Sequence, residues 1–240
     1  MNAPAARPDP MDEVRNRFLI GIDERDRRSL LGAGQRVELA LGQVLCRPMD
    51  RTDHVFFPER GIISMVAVAE TGQQVESGVV GSEGALGLIE ALTCAPMFPL
   101  ATVQAAGWAW RAPAPLCRQL FSNEPGRTLI DEYAQAMLAE ARQSIACQAY
   151  HRLEPRLARW LLECWERGEL GDELQLTQEF LAVMLGVQRT SVTAALASLE
   201  QRGVLRTGRA RIRLTDTEGL ERAACECRRT IKWYRSQIGC

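Results

Sequence analysis

The chain has 240 residues, 46% hydrophobic and 25% charged, an ordinary balance for a folded protein of one large or two modest domains. No run of about 18 apolar residues is present, and the polar, Pro-rich start lacks the apolar core of a secretory signal, so the sequence predicts a cytoplasmic protein without a membrane partner. The net charge of −1 hides an asymmetry. Residues 151–240 hold fifteen Lys and Arg against twelve Asp and Glu, and within 189–213 six arginines accompany the single acid Glu200. A compact basic cluster suits nucleic acid, although a solvated surface has the same composition.

In chain order, residues 1–12 read as a flexible tail, and 13–33 as one or two short helices ended by Gly32 or Gly34. From 35 to about 112, short apolar runs alternate with Gly, Pro and Asp. This predicts many short antiparallel strands in a sandwich or barrel. FFPERG (56–61) reads as a turn and Thr71-Gly72 as a hairpin tip.

From 114 the pattern becomes helical. A short helix is followed by a long one, with Ser122 or Asn123 as its cap and Pro125 near its first turn. The stripe Ile130, Tyr133, Met137, Ala141 and Ile145 could pair with a twin helix or pack on the chain's own strands. A length of about seven turns favours dimerisation. The next helix ends at Gly168 and turns Leu157, Trp160, Leu161 and Trp165 toward a core.

Residues 174–205 are the most informative. Thr177 is a natural N-cap, with Glu179 in the first turn. Leu181, Met184 and Leu185 form an inner face, Ala182 allows a close crossing, Gly186 permits a tight turn and Val187 plugs the core. A second helix opens at Arg189, with Val192, Ala195, Leu196 and Leu199 inside and Thr190, Thr193, Ala194, Ala197 and Gln201 outside. This is the pattern of a helix-turn-helix, whose second helix enters the major groove. Gln188, Arg189, Thr190 and Ser191 occupy its leading end, and Arg189 is suited to a bidentate contact with guanine. The hydroxyls of Thr177, Ser191 and Thr193 suit phosphate oxygens. Then a strand, a turn at Gly208 and a second strand form a wing, whose Arg206, Arg209, Arg211 and Arg213 fit the DNA backbone. One helix over 216–236 is expected to finish the module.

The eight cysteines are scattered, with no C-x-x-C. Cys225 and Cys227 sit together in a stretch that reads as helix, where residues two apart point to different sides. His54 and His151 are the only imidazoles. The expectation is therefore ordinary thiols and no metal site. No phosphate-binding loop, nucleophile-base motif or strand-borne histidine cluster is present, so no enzyme is expected.

At this point the chain resembles the Crp/Fnr family of bacterial regulators, over nearly everything after residue 13. The resemblance rests on Gly42 and Leu45, FFPERG (56–61), GQQVESGVVGSEGALG (72–87), RLARWLL (156–162) and the Thr177-to-Val192 motif. It implies an α+β fold. Its parts would be a cyclic-nucleotide-binding-like β-roll over 13–122, a dimerisation helix over 123–152 and a winged helix-turn-helix over 153–240. The implied partners are double-stranded promoter DNA, a second copy, RNA polymerase and a small-molecule effector of unknown identity.

Two departures bear on mechanism. Where cyclic-AMP-binding members resemble G-E-L-G-L-F followed by R-S-A, this chain has Ala85 in place of the Glu and Pro99 in place of the Arg. A buried phosphate without its cation is costly, so cyclic AMP is not expected. A pocket at Gly84, Ala85, Leu86, Pro99 and Leu100 would take an apolar effector or stand empty. Residues 1–45 contain no cysteine, so the N-terminal iron–sulfur cluster of oxygen-sensing members is not expected either. The recognition helix keeps Arg189 but lacks the Glu and second Arg of R-E-T-x-x-R, which implies a different operator or weaker discrimination between bases. The competing reading is a dimeric adaptor whose winged module contacts protein.

Overall fold

The computed structural model describes residues 14–237, so the tail predicted over 1–12 lies outside it. The N-terminal part comprises α1 (Arg17–Gly21), α2 (Glu24–Ala33), β1 (Gln35–Leu39), β2 (Val44–Cys46), β3 (His54–Val68), β4 (Gln74–Val80), α3 (Leu88–Thr93), β5 (Leu100–Pro113) and α4 (Ala114–Leu120). The strands form one antiparallel sheet in the order β1-β5-β3-β4, with β2 also on β5. Asn16 pins the start of the chain to it. Its side chain caps α1 at Leu19 N and donates to Pro58 O and Gly84 O at 2.8 and 2.9 Å.

The strands are fewer and longer than the turn-rich sequence suggested. FFPERG does not turn; it lies inside the fifteen-residue β3. The pairing of β3 with β5 shifts register three times between Pro58 and Ile63, and Gly61 has φ +97°. Bulges bend a strand without ending it. Facing this bend, a Cβ on Gly107 would lie 2.0 Å from Arg60 O, so the two backbones meet where only glycine fits. Thr71-Gly72 does close the β3–β4 hairpin, with Gly72 at φ +82°.

Two helices follow, α5 (Gly126–Tyr150) and α6 (Leu153–Gly168). Neither Ser122 nor Asn123 caps α5. Pro125 occupies the cap, and Glu124 Oε2 accepts from Thr128 N at 3.3 Å. Only His151 and Arg152 separate the two helices. Pro155 cannot extend α5, because its ring would meet the residue-151 carbonyl, but it fits the first turn of a new helix. Leu157, Trp160 and Leu161 are buried and Trp165 packs beside them, as their spacing predicted.

The C-terminal part holds β6 (Glu173–Leu174), α7 (Gln178–Leu185), α8 (Arg189–Gln201), β7 (Leu205–Gly208), β8 (Arg211–Leu214), α9 (Thr217–Ala223) and α10 (Cys227–Gln237), with a sheet of order β6-β8-β7. The single helix expected over 216–236 is two, because 224–226 leave helical geometry. One core joins both halves. Ile62, Val66, Val79 and Ala105 of the roll pack in the same cluster as Leu161, Met184, Leu185 and Leu196. Among the described residues no single helix is long and apolar enough to cross a membrane.

The proposed dimer stripe divides. Ile130 and Tyr133 are buried in the chain's own core, with the Tyr133 ring 5.4 Å from Phe18, and Met137 packs on the same cluster. Ala141 is half-buried and Ile145 is exposed. A stripe spaced mostly by four residues drifts around a 3.6-residue helix. Its first residues therefore face the roll and its last face outward. Leu138, absent from the expected stripe, is exposed on the outward side with Ile145.

Candidate nucleic-acid interface

Thr177 caps α7 as its sequence predicted, its Oγ1 accepting from Phe180 N at 3.1 Å. Gly186 ends that helix at φ +64°, and Val187 N bonds back to Ala182 O at 3.0 Å. This left-handed stop bends the chain by 107° into α8, within the range of a helix-turn-helix. Leu181, Ala182, Met184, Leu185, Val192, Ala195, Leu196 and Leu199 are all buried. Their packing fixes which side of α8 faces out, and that side carries Gln188, Arg189, Thr190, Ser191, Thr193, Ala194, Ala197 and Gln201, all exposed.

The wing is a hairpin whose Gly208 and Arg211 are paired. Its turn falls at Arg209-Ala210, one step later than predicted, with Ala210 at φ +56°. Gly208 serves differently, since a Cβ there would meet Arg211 Cγ at 2.8 Å. Glu200, the lone acid of the basic stretch, ties α8 to the wing. Its carboxylate accepts from Thr207 N and Thr207 Oγ1 at 3.0 and 2.8 Å, and these hydrogen bonds hold its pKa below the usual carboxylate range.

Thr177, Arg189, Arg209 and Arg211 come together around one groove of about 350 Å³ between the start of α7, α8 and the wing. Three further side chains bear on this surface, of which the sequence pointed to Glu179 only as a first-turn acid. Gln178 Oε1 accepts from Thr193 Oγ1 at 2.7 Å, so the first residue of α7 orients a hydroxyl on α8. Glu179 lies 3.9 Å from Arg189 with both side chains largely exposed, a weak pairing. Glu173 on β6 stands 3.4 and 3.5 Å from Arg211 and Arg213. Its position a few residues before the predicted cap gave no local sign that it would pair across a third strand. Arg206 is exposed on β7.

The expected effector pocket does not assemble. Ala85 packs with Tyr133 and Phe57, Leu86 with Met97 and Val103, and Leu100 against the core shared with the C-terminal module. Pro99 is buried just before β5. Tyr133 occupies the space beside the 84–85 backbone. Its hydroxyl accepts from Ala85 N and donates to Ala85 O, both at 3.0 Å, and a Cβ on Gly84 would lie 2.6 Å from it. The expectation failed because strand pairing sends Leu100 to Val66, beneath the C-terminal module.

The cysteine expectation also changes. Cys225 and Cys227 do not diverge on one helix, because the break at 224–226 lies between α9 and α10. They converge with Cys147 and His151, all four ligand atoms lying within 4.8 Å of one another.

Residues 155–223 match the family of Crp-like helix-turn-helix domains. The transcriptional regulator SdrP of Thermus thermophilus is 34% identical over 110 residues, which are 42% of this chain and 54% of the relative. The match thus spans about half the relative's length. A solved transcriptional regulator of the CRP/FNR family, also from Thermus thermophilus, is 27% identical. It covers 79% of this chain and 98% of its own, with a TM-score of 0.60. The c-di-GMP-responsive global regulator CLP of Xanthomonas campestris is 16% identical, covers 80% of this chain and 99% of its own, and has a TM-score of 0.61. The fold is therefore that of Crp/Fnr regulators, with an antiparallel roll, a long helix and a C-terminal helix-turn-helix.

Proposed function

We propose that this chain is a sequence-specific, DNA-binding transcriptional regulator of the Crp/Fnr type, working as a homodimer on double-stranded promoter DNA. The carrying observation is the exposed side of α8. It leads with Gln188, Arg189, Thr190 and Ser191 and continues with alanines small enough to let the helix sink into a major groove. Arg189 reads bases. The wing arginines Arg209 and Arg211, with the hydroxyls of Thr177, Ser191 and Thr193, hold phosphates. RNA polymerase is the further partner such a regulator would meet at a promoter. The relatives named above are regulators, which supports a non-enzymatic role.

Dimerisation is assigned to the outward side of α5, where Leu138, Ala141 and Ile145 recur at the three- and four-residue spacings of a helix pair. Cyclic AMP is not its effector. Ala85 and Pro99 supply neither carboxylate nor cation, and the Ala85 amide is already bonded to Tyr133. A small molecule that modulates DNA binding would be apolar or would sit elsewhere.

The test is selection of bound sequences from random duplexes by the full chain, followed by titration at several salt concentrations. The expected result is a two-fold symmetric site, affinity falling steeply with salt, and a loss of roughly 1–3 kcal/mol in Arg189→Ala. No enriched sequence, or binding indifferent to both salt and Arg189→Ala, would favour the protein-contact adaptor.

A further inference from the structure

We infer that Cys147, His151, Cys225 and Cys227 form a tetrahedral zinc site that staples the end of the long helix to the C-terminal segment. Cys147 lies in the last turn of α5 and His151 is the residue that caps it four positions on, with His151 N bonded to Cys147 O at 3.0 Å. Cys225 is placed by its N–H on Pro155 O at 3.2 Å, and Cys227 opens α10. All three thiols are buried and reduced.

The spacing is that of ligands around one ion. Zn–S bonds of about 2.3 Å and Zn–N bonds of about 2.0–2.1 Å put tetrahedral S···S and S···N edges near about 3.8 and about 3.6 Å. Cys147 Sγ is 3.5 Å from Cys225 Sγ, and Cys227 Sγ is 3.6 Å from His151 Nδ1. A disulfide requires sulfurs in bonding contact, near about 2.05 Å. A four-iron cluster carries each ligand on a different iron, and four atoms within 4.8 Å of one another are too close for that.

The surroundings are also those of a metal centre. His151 presents Nδ1 to the sulfurs while its Nε2 meets Glu226 Oε1 at 3.0 Å. This is the carboxylate–histidine pairing that fixes the tautomer of a metal ligand. Gln143 Nε2 donates to Cys227 Sγ at 3.1 Å, as amides beyond the ligand shell do to bound thiolates. On binding, three thiols release their protons to solvent, neutral His151 adds its lone pair, and the centre carries one net negative charge beside Arg159.

The tag-free full chain, purified under reducing conditions without chelator, is analysed for metals and sulfide. The expected result is one zinc per chain in the wild type and in Cys94→Ser, whose exposed thiol lies outside the group. The Cys147→Ser/Cys225→Ser double variant should retain at least about tenfold less. Because that variant could lose its fold, the metal-free wild type is also titrated with Co(II). One equivalent should give the intense visible bands of tetrahedral cobalt with thiolate charge transfer, and should raise the melting temperature. Iron with sulfide in place of zinc, equal zinc in the double variant, or a metal-free wild type in which Co(II) stays six-coordinate would each overturn the assignment.

Discussion

Glu76 on β4 sits in the seam between the roll and the C-terminal module, and its replacement by Gln should change how stability depends on pH. Trp160 Nε1 of α6 donates to Glu76 Oε1 at 2.7 Å, and Ser64 Oγ lies 2.8 Å from Glu76 Oε2 and 3.2 Å from Met184 Sδ. A hydroxyl has one proton, so Ser64 serves both neighbours only if the carboxyl donates to it, which requires Glu76 protonated. Burial pushes the carboxyl up from 4.5 to about 7, against the Ser64 and Trp160 hydrogen bonds. The folded state then holds this proton more tightly than the unfolded one. The contribution is fully present below about 4.5 and is lost as pH rises to about 7. That interval corresponds to on the order of 3 kcal/mol, and because Glu76 keeps some solvent contact, roughly 1–3 kcal/mol is the useful order. Glu76→Gln keeps an acceptor for Trp160 and a donor for Ser64 but cannot ionise. Urea unfolding from pH 4 to pH 8 should find the variant near the wild type at the acid end and more stable by that amount at the alkaline end. Titrating groups away from Glu76 are common to both proteins and cancel, leaving only those that feel its charge directly, Glu163, Arg159 and Cys164. A Glu76→Gln variant with the wild-type pH slope, or less stable at pH 8, would refute this account.

Leu199→Ala removes a fully buried side chain on the inner face of α8 and should cost roughly 2–5 kcal/mol, read as a lower urea midpoint with DNA affinity lost in parallel. Tyr133→Phe leaves Ala85 N–H and C=O without their partner. It should destabilise by about 1–3 kcal/mol without creating cyclic-AMP affinity, checked by melting and calorimetric titration. Ile145→Glu places a charge on the exposed side of α5. Under the proposed pairing through α5, sedimentation should show a wild-type dimer and a monomeric variant at the same concentration, and a dimer unchanged by the substitution would move the interface away from Ile145.

The helix-turn-helix was legible because its determinants are local. A capping hydroxyl, a left-handed glycine at 186 and alternating apolar positions in α7 and α8 each act within a few residues. The roll was legible only as a class. Pro58 and Gly61 look like turn residues to any local reading, but pairing with β5 absorbs them as bulges in one bent strand. The long helix shows the same limit, since a single apolar stripe cannot say where its contacts pass from the chain's own roll to open surface. Leu100 misled for a related reason. Its place beside Pro99 suggested a pocket, whereas its strand partner Val66 carries it under the C-terminal module.

The cysteine group is the extreme case of non-local information. Cys147 and Cys225 are 78 positions apart, and each alone reads as a small buried hydrophobe. Their meeting depends on two short interruptions of helix, at 151–152 and 224–226. The first lets α6 fold back from α5, and the second frees Cys225 from the register of α10. Had 216–236 been one continuous helix, Cys225 and Cys227 would stand on different sides of it and a shared ligand set could not form. A small error in helix continuity therefore reverses the chemical conclusion. Residue 224 is already alanine, the strongest helix former, yet the helix stops there, because the Cys225 N–H is bonded to Pro155 O instead of continuing the helical ladder. The break is held by tertiary contacts rather than by local propensity, and the recognition module is anchored to the long helix at the same point.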